Sequence, residues 1–585
     1  MARSSAARLL GWGLAVLVLL VVVLAAFTGY QAVRVRSNLE QVASDVSTLS
    51  DQLTSGDQPG ARRTLRSAQQ HAAAARRSSS GPGWWLGRRL PRIGADVSAV
   101  QTVADVADNL AAGVLPDVVD VGGVLRPEHL RPVHGRVNLA PIQAAAPKVV
   151  RANARLQVQD ARVQALDTGR LLSQVAGPVA TMQARLGDAS SLTDRLSRAV
   201  RLLPPMLGAD GPRTYLLMFQ NNAEARSTGG IPGSFATVTA DHGKVAIGRQ
   251  ADAGLIGRFD KPPLPLTDEE LALFGPGLGS YAQDVNFTPD FPRSAQLIRA
   301  MWQARTGVRL DGVLSADPVA LSYLLRGTGP VPIAGGRTLS AGDAVQTLLS
   351  SVYAEIPDPQ RQNLFFESVA HSVFDAVASG RGRPATVLSN LVTAVDQRRV
   401  LLWSAHQKEQ ALLSPTALAG ALATKPTTSP VVGVYLNDGG ASKLDYYLDY
   451  DVDVASRQCQ SDRQVLDVTL HLHSKVPTGA AGLPDYVANN APGLPRGVIR
   501  LSLFTYAPVD GGFARSTLDG RPNNLSTHTH DGRYVVAQTV DLAPGTRHTL
   551  TWRMVTGKGQ TERTQLRVTP GAHTDGVGRV GATAC

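Results

Sequence analysis

Residues Leu9–Phe27 (LLGWGLAVLVLLVVVLAAF) run for 19 positions without a charge. That is close to the roughly 20 apolar residues a helix needs to cross ~30 Å of hydrocarbon. Two readings fit: an uncleaved anchor, or a cleaved secretory signal with Arg3 and Arg8 as its basic region and Val23-Leu24-Ala25 before the cut. Signal cores are shorter, about 7 to 15 residues, and a helical pattern follows directly here, which favours the anchor. Arginines flank the run on both sides (Arg3, Arg8, Arg34, Arg36), so charge alone does not orient it. A short tail left in the cytoplasm is the simplest arrangement. The expectation is a single-pass protein at the cell membrane, with residues 1–30 as cytoplasmic tail and anchor and everything after Tyr30 extracytoplasmic.

The chain has 585 residues, 43% of them hydrophobic and 18% charged, which supplies real cores and excludes a largely disordered protein. Its net charge of +11 is unevenly spread: residues 1–213 hold 24 Arg and 1 Lys against 15 acids, a net of +10. Arg62, Arg63, Arg66, Arg76, Arg77, Arg88, Arg89 and Arg92 lie between Asp57 and Asp96 with no acid among them. A basic stalk beside a membrane meets anionic lipid or wall polymers through ordinary electrostatics, so nucleic acid is not expected as a partner. Two cysteines exclude a disulfide-dense scaffold and any Cys-rich metal module. In an oxidising compartment Cys459 and Cys585 bridge; a pair of buried free thiols is the alternative.

From residue 31 to 205 the pattern is helical. Leu39, Val42, Val46, Leu49 and Leu53 alternate steps of three and four, and Val97, Val100, Ala104 and Ala107 repeat the spacing. The segment SSSGPGWWLGRRLPRIG (78–94) interrupts the helices, and its Trp84 and Trp85 suit either a headgroup-level aromatic anchor or packing in the bundle. Helices over roughly 140–165 and 170–203 complete a stalk or bundle. Strand-like TYLLMFQ (214–220) and GSFATVTADHGKVAIG (233–248), followed by helical stretches at 292–306, 341–354 and 360–379, predict an α/β or α+β domain over 206–425. KPTTSP (425–430) reads as a linker. Short alternating strands from 431 to 585 predict an all-β sandwich.

The densest polar cluster is QNNAEARSTGGIPGS (220–234), directly after the first strand, where α/β domains place sites. Its spacing is neither a Walker loop nor a dinucleotide fingerprint, and a structural turn satisfying local backbone is the competing reading. Asp252, the stretch YAQDVNFTPDFPRS (281–294) and DPQRQ (358–362) add carboxylates and arginines of the kind that hold a divalent cation and a phosphate, although such strings also make turns and caps. His528, His530 and Asp531 have ligand-like spacing, with a polar hairpin as the plainer reading.

The string NNAEARSTGGIPGSFATVTADHGKV, with VGVYLNDGGASKLDYYL (432–448), closely resembles a membrane-anchored bacterial family known as a domain of unknown function. Over about 214–380 the chain also resembles the LytR-CpsA-Psr phosphotransferases, which move polyprenyl-pyrophosphate-linked glycopolymers onto the cell wall. Arg226-Ser227-Thr228, the stretch 286–333 and DPQRQNLFF (358–366) carry that likeness. Thr228 and the glycines replace an expected acid, and Tyr353-Ala354-Glu355 lacks two expected arginines. The resemblance implies a LytR-CpsA-Psr-like central domain that binds polyprenyl phosphate or phosphorylated glycan in wall assembly, non-catalytic or divergent. An active phosphotransferase attaching glycopolymer to the wall is the alternative. Arg226, Asn222, Glu224, Asn286 and Arg361 are the candidate ligand-binding residues. Asp252 and Asp284 are the candidate ligands for a metal such as Mg.

Overall fold

Alanine-rich sequence with apolar residues three and four apart turns the first two hundred residues into helices: α1 (Arg3–Ser55), α2 (Gln58–Ser78), α3 (Pro82–Gly87), α4 (Gly94–Gly113), α5 (Leu115–Gly122), α6 (Ala140–Gln164) and α7 (Ser173–Met206). The structure, a computed structural model, describes residues 3–122, 131–489, 491–524, 526–573 and 578–585, with side chains from residue 27 onward. Two compact units result, Met1–Leu130 with Asn138–Pro205, and Arg131–Val137 with Met206–Cys585.

In the first unit, the expected seam of α1 buries Leu49 and half-buries Leu39, Val42 and Leu53, but Val46 is 42% exposed. Asp45 takes its place, with its Oδ2 3.0 Å from His71 Nδ1 on α2. The membrane expectation is corrected here. Among the described residues no helix is long and apolar enough to cross a membrane. The run Leu9–Phe27 lies, except for Phe27, outside the residues whose side chains are described. Beyond it α1 carries Arg34, Arg36, Glu40, Asp45 and Asp51, too many charges for hydrocarbon. A single-pass protein with a cytoplasmic N-terminus is therefore not supported.

The second unit begins on β1 (Arg213–Arg226), β2 (Gly229–Asp241) and β3 (Lys244–Asp252). His242 and Gly243 turn the β2–β3 hairpin at φ 46° and 81°, the mirror-image turn that suits twisted strands. With β4 (Gly312–Ala316) and β7 (Val400–Ser404) they form an open sheet in the order β3-β2-β1-β4-β7, in which the β1–β4 pair is parallel and the rest antiparallel. The strands β5 (Val331–Ile333) and β6 (Arg337–Leu339) form a separate small hairpin. Leu216, Phe235 and Val313 of the sheet pack with Phe291, Met301 and Trp302 of the helix Phe291–Thr306 in one buried core.

The remaining strands are β8 (Val431–Asp438), β9 (Leu448–Gln460), β10 (Arg463–Ser474), β11 (Ile499–Tyr506), β12 (Gly512–Leu518), β13 (Arg521–Pro522), β14 (Thr527–His530), β15 (Arg533–Leu542), β16 (Arg547–Val555), β17 (Gln565–Val568) and β18 (Gly578–Val580). The all-β sandwich is a second correction. These strands make two open sheets, β13-β12-β16-β10-β9-β18 and β14-β15-β11-β8-β17, with the short helix Asp485–Ala488 inserted. Their core is not self-contained, because Ala225 of β1 is buried in it with Val434, Leu436 and Leu444. The reason lies in β1, which runs 14 residues and outlasts its ladder with β4, paired only through Tyr215 to Phe219. Cys459 of β9 and Cys585 are joined by a disulfide.

Candidate functional site

The polar string after Phe219 is built on a break in register. Asn221 pairs with Ile231 and Ala225 with Gly230, so three residues of β1 (Asn222, Ala223, Glu224) oppose nothing on β2 and bulge out. Gly230 permits the crossing, since a Cβ there would meet the Asn221 carbonyl oxygen at 2.2 Å. The bulged and following residues then reach partners far away in sequence. Asn221 Nδ2 donates to the Tyr353 hydroxyl (2.6 Å), and Asn222 Nδ2 to Asp317 Oδ2 (3.1 Å) and the Pro570 carbonyl (3.0 Å). Glu224 accepts from Lys443, the Ala225 amide donates to Asp445 Oδ2 (2.8 Å), and the Ser227 amide donates to Asn437 Oδ1 (2.8 Å). Asp317 also caps the helix Pro318–Thr328 and pairs with Arg399 at 2.8 Å, which in turn donates to the carbonyls of Gly571 and His573.

Charge inside this network is unbalanced: Arg226 and Lys443 face Glu224, Asp284, Asp438 and Asp445. Burial and the neighbouring Glu224 push the Asp438 carboxyl up to about 6 against the pull of Arg226. Burial and the Asp438 charge push Asp445 well above the carboxylate range. Burial also raises Asp284, with Arg226 opposing it. For Lys443 burial works downward, but the Glu224 carboxylate outweighs it and holds the ammonium high. Burial thus shifts Asp438 and Asp445 toward the protonated form, because a dry interior penalises the charged one.

The candidate residues separate into distinct settings. Arg226 is 6% exposed. Its Nη2 lies 3.6 Å from Asp284, its Nη1 donates to the Ala225 carbonyl, and its guanidinium stacks 4.6 Å from the Phe287 ring centroid. Asn222 and Glu224 are bound into the joint as described, and Asn286 Nδ2 donates to the Gly230 carbonyl at 3.2 Å. Asp252 caps the short helix Ala253–Ile256 and accepts from Asn363 at 2.9 Å. That contact brings it to the helix Pro359–Ala378, whose first turn carries Arg361, exposed to solvent. Arg226 and Asp284 therefore meet, while Asp252 belongs to a different cluster. The cavity beside Lys443, lined also by Tyr353, Ser350 and Tyr447, measures about 50 Å³, room for no more than a few waters.

Two metal readings resolve plainly. His530 is 3% exposed with its Nδ1 2.8 Å from the Tyr506 hydroxyl, and Asp531-Gly532 turns the hairpin at φ 50° and 74°. Asp451, Asp453 and His471 place ligand atoms within 4.8 Å of one another. Arg579 lies across both carboxylates at 3.2 and 2.7 Å, supplying the positive charge an ion would bring.

A larger opening lies elsewhere in the same unit. Val133 and Arg136 exchange backbone hydrogen bonds around His134-Gly135 (φ 50° and 74°), and this tight hairpin docks on β3 through Val137 to Gly243 and Val245 to Gly135. Between it and the helix Pro359–Ala378 is a groove of about 740 Å³. Its walls are Pro132, Val133, Val245, Ile247, Phe374 and Ala378, and its polar groups include Arg131, His134, His371 and Asp375. Arg131 is anchored by Nε to the Gly380 carbonyl at 2.7 Å. The sequence reading passed over this groove, although His-Gly between apolar residues is a usable hairpin signal. It also passed over Lys443, Asp438 and Asp445 as partners of the polar string, despite singling out both segments.

Residues 210–353 match the family model described as Protein of unknown function (DUF4012). The chain thus carries a domain of unknown function, and the match takes in the polar string, Asp284, Asp317 and Tyr353. It brings neither membrane anchoring nor a link to the LytR-CpsA-Psr enzymes. No curated protein matches the chain.

Proposed function

We propose that this is a non-catalytic binding protein, and that its groove between the 131–137 hairpin, β3 and the helix Pro359–Ala378 takes a polyprenyl phosphate or a similarly amphiphilic phosphorylated glycan carrier. The observation that carries the reading is the pairing of an apolar wall with Arg131 and two imidazoles at one opening of about 740 Å³. A prenyl chain needs apolar walls, and a phosphate needs fixed donors. Among the described residues Arg131 commits only Nε, to the Gly380 carbonyl, which leaves its terminal nitrogens for an anion. Among the described residues Asp375 is the one carboxylate of the lining, and it disfavours an anion that makes no compensating contact to Arg131. The Cys459–Cys585 disulfide supports an oxidising compartment such as that in which envelope polymers are assembled.

Phosphotransfer is the weaker reading. Arg226 is enclosed by Asp284 and Phe287, and Arg361 stands in another setting, so the two do not form one phosphate clamp. Titration of the full chain with farnesyl phosphate, farnesol and inorganic phosphate tests the proposal. Farnesyl phosphate should bind saturably, and R131A should weaken it by about tenfold or more, the worth of a charge-assisted contact. R226A should leave the affinity unchanged wherever the variant stays folded. Absence of saturable binding, or equal binding by R131A, would overturn the assignment.

A further inference from the structure

The tandem tryptophans of the first unit divide their labour. Trp84 is 3% exposed and its Nε1 donates to Gln31 Oε1 of α1 at 3.1 Å. Trp85 is 52% exposed, with Leu86, Leu90 and Ile93 at 44%, 46% and 39%. A buried indole thus pins the loop while the next residue and its apolar neighbours face outward. The loop lies against α1 at Thr28, where a Cβ on Gly83 would collide with the threonine side chain. On either side of Thr28 and Gln31, α1 exposes Phe27, Tyr30 and Val33 at 55%, 59% and 67%. Seven large apolar side chains on one part of the unit is more than scattered surface hydrophobicity accounts for.

The charge around them has one sign. Arg88, Arg89 and Arg92 are exposed within the loop, and the Arg89 guanidinium sits 3.6 Å from the Trp85 ring centroid. The nearest acids are committed elsewhere. Asp105 and Asp108 pair with Arg76, Asp105 also with Arg162, and Asp96 is buried with its Oδ1 accepting from the Leu172 amide. Among the described residues Arg77, Arg88, Arg89 and Arg92 have no acidic partner.

We infer that the surface formed by Trp85, Leu86, Leu90 and Ile93 with Arg88, Arg89 and Arg92 docks on an anionic phospholipid bilayer. The mode is interfacial. Apolar side chains enter the headgroup boundary, an indole favours that depth, and guanidinium groups reach lipid phosphates around them. A soluble wall polymer fits less well, because it offers the arginines their charge and the exposed Trp-Leu-Leu-Ile cluster nothing. This surface is independent of the groove in the second unit, and each stands or falls alone.

Hydroxyl-radical footprinting of the full chain, read by mass spectrometry, tests it residue by residue. Vesicles of mixed phosphatidylglycerol and phosphatidylcholine should cut oxidation of Trp85 and Leu86 severalfold, and pure phosphatidylcholine should do so far less. R88Q/R89Q/R92Q should raise the lipid concentration for half-protection about a hundredfold. Trp84, buried in either state, reports the fold: low oxidation there in the variant shows that the loop is intact, and W85S is the second variant should the triple change expose it. Trp85 oxidation indifferent to anionic vesicles overturns the inference. So does protection that neutral vesicles give equally, or that soluble polyphosphate gives without lipid.

Discussion

Lys443, on the connection from β8 to β9, donates to the carboxylate of Glu224, 219 positions earlier, and lies 4.7 Å from the centroid of the Tyr353 ring. Both charged side chains are largely shielded, 14% and 13% exposed. Three segments meet at this point: the β1 bulge, the helical turn around Tyr353, and the β8–β9 connection.

Removing one partner leaves the other charge without compensation, typically a loss of about 3–5 kcal/mol for a buried pair, whereas removing both is far milder. K443M alone should therefore cost on the order of 3 kcal/mol in urea unfolding, and E224Q/K443M much less than the two single changes added together. Strictly additive, small effects would show that the pair is solvated and carries no joint.

Asp438 gives the joint a pH dependence of definite sign. Its carboxyl titrates near 6 in the folded chain against an ordinary 3.8, because burial and Glu224 favour the proton. A folded value above the unfolded one means that the stability this group contributes is complete below about pH 4 and is lost as pH rises through 6. Relative to D438N, the wild-type chain should lose on the order of 3 kcal/mol between pH 4 and 7, with Asp445 acting in the same direction. The test is the difference between wild-type and D438N unfolding free energies across that range; a flat difference refutes the proton assignment.

How much of this was legible in the sequence depends on range. The β2–β3 hairpin followed from Asp-His-Gly, and the helices near 292–306 and 360–379 from periodicity, since turn chemistry and amphipathic spacing are local. The tandem Trp84-Trp85 left packing and exposure both open, and the pair splits, with Trp84 packed in the bundle and Trp85 facing outward. The polar string was noticed but its role was hidden. Asn222, Glu224 and Arg226 look like ligand-binding side chains because buried polar joints and polar sites use the same residue types. What separates them is whether Lys443, Asp445 and Asn437 arrive from 210 to 220 residues away, and no local pattern encodes that arrival. The self-contained sandwich failed for a similar reason: strand alternation from 431 onward says nothing about a guest such as Ala225.

Gly230 should be intolerant of any side chain. The Asn221 carbonyl stands 2.2 Å from where its Cβ would be, and that oxygen belongs to backbone held by the bulge. Relief would require the bulge to re-register, undoing the contacts of Asn222 and Glu224. G230A should cost about 3 kcal/mol or more in chemical denaturation, while G233A, with open space around it, should cost little. Equal, small effects would mean that the crossing is loose.

The Cys459–Cys585 bridge closes a separation of 126 residues and ties the segment after β18 to β9. The strand β18 pairs with β9 over three residues, Gly578 to Val580, and Arg579 reaches Asp451 and Asp453 from an exposed position. Exposed ion pairs of this kind contribute about 1 kcal/mol at most, and the hydrogen bonds of Val580, Thr583 and Ala584 are exposed as well, so the covalent bridge is the strongest single restraint on the segment. A loop of this size corresponds to about 2–5 kcal/mol of stabilisation, mainly by restricting the unfolded chain. C459S/C585S should therefore unfold at lower denaturant and show faster amide exchange along the edge of β9 next to β18. Exchange at the centre of β10, flanked by β9 and β16, should follow only the global loss. If the edge of β9 exchanges no faster in the variant, the strand pairing rather than the disulfide holds the C-terminus in place.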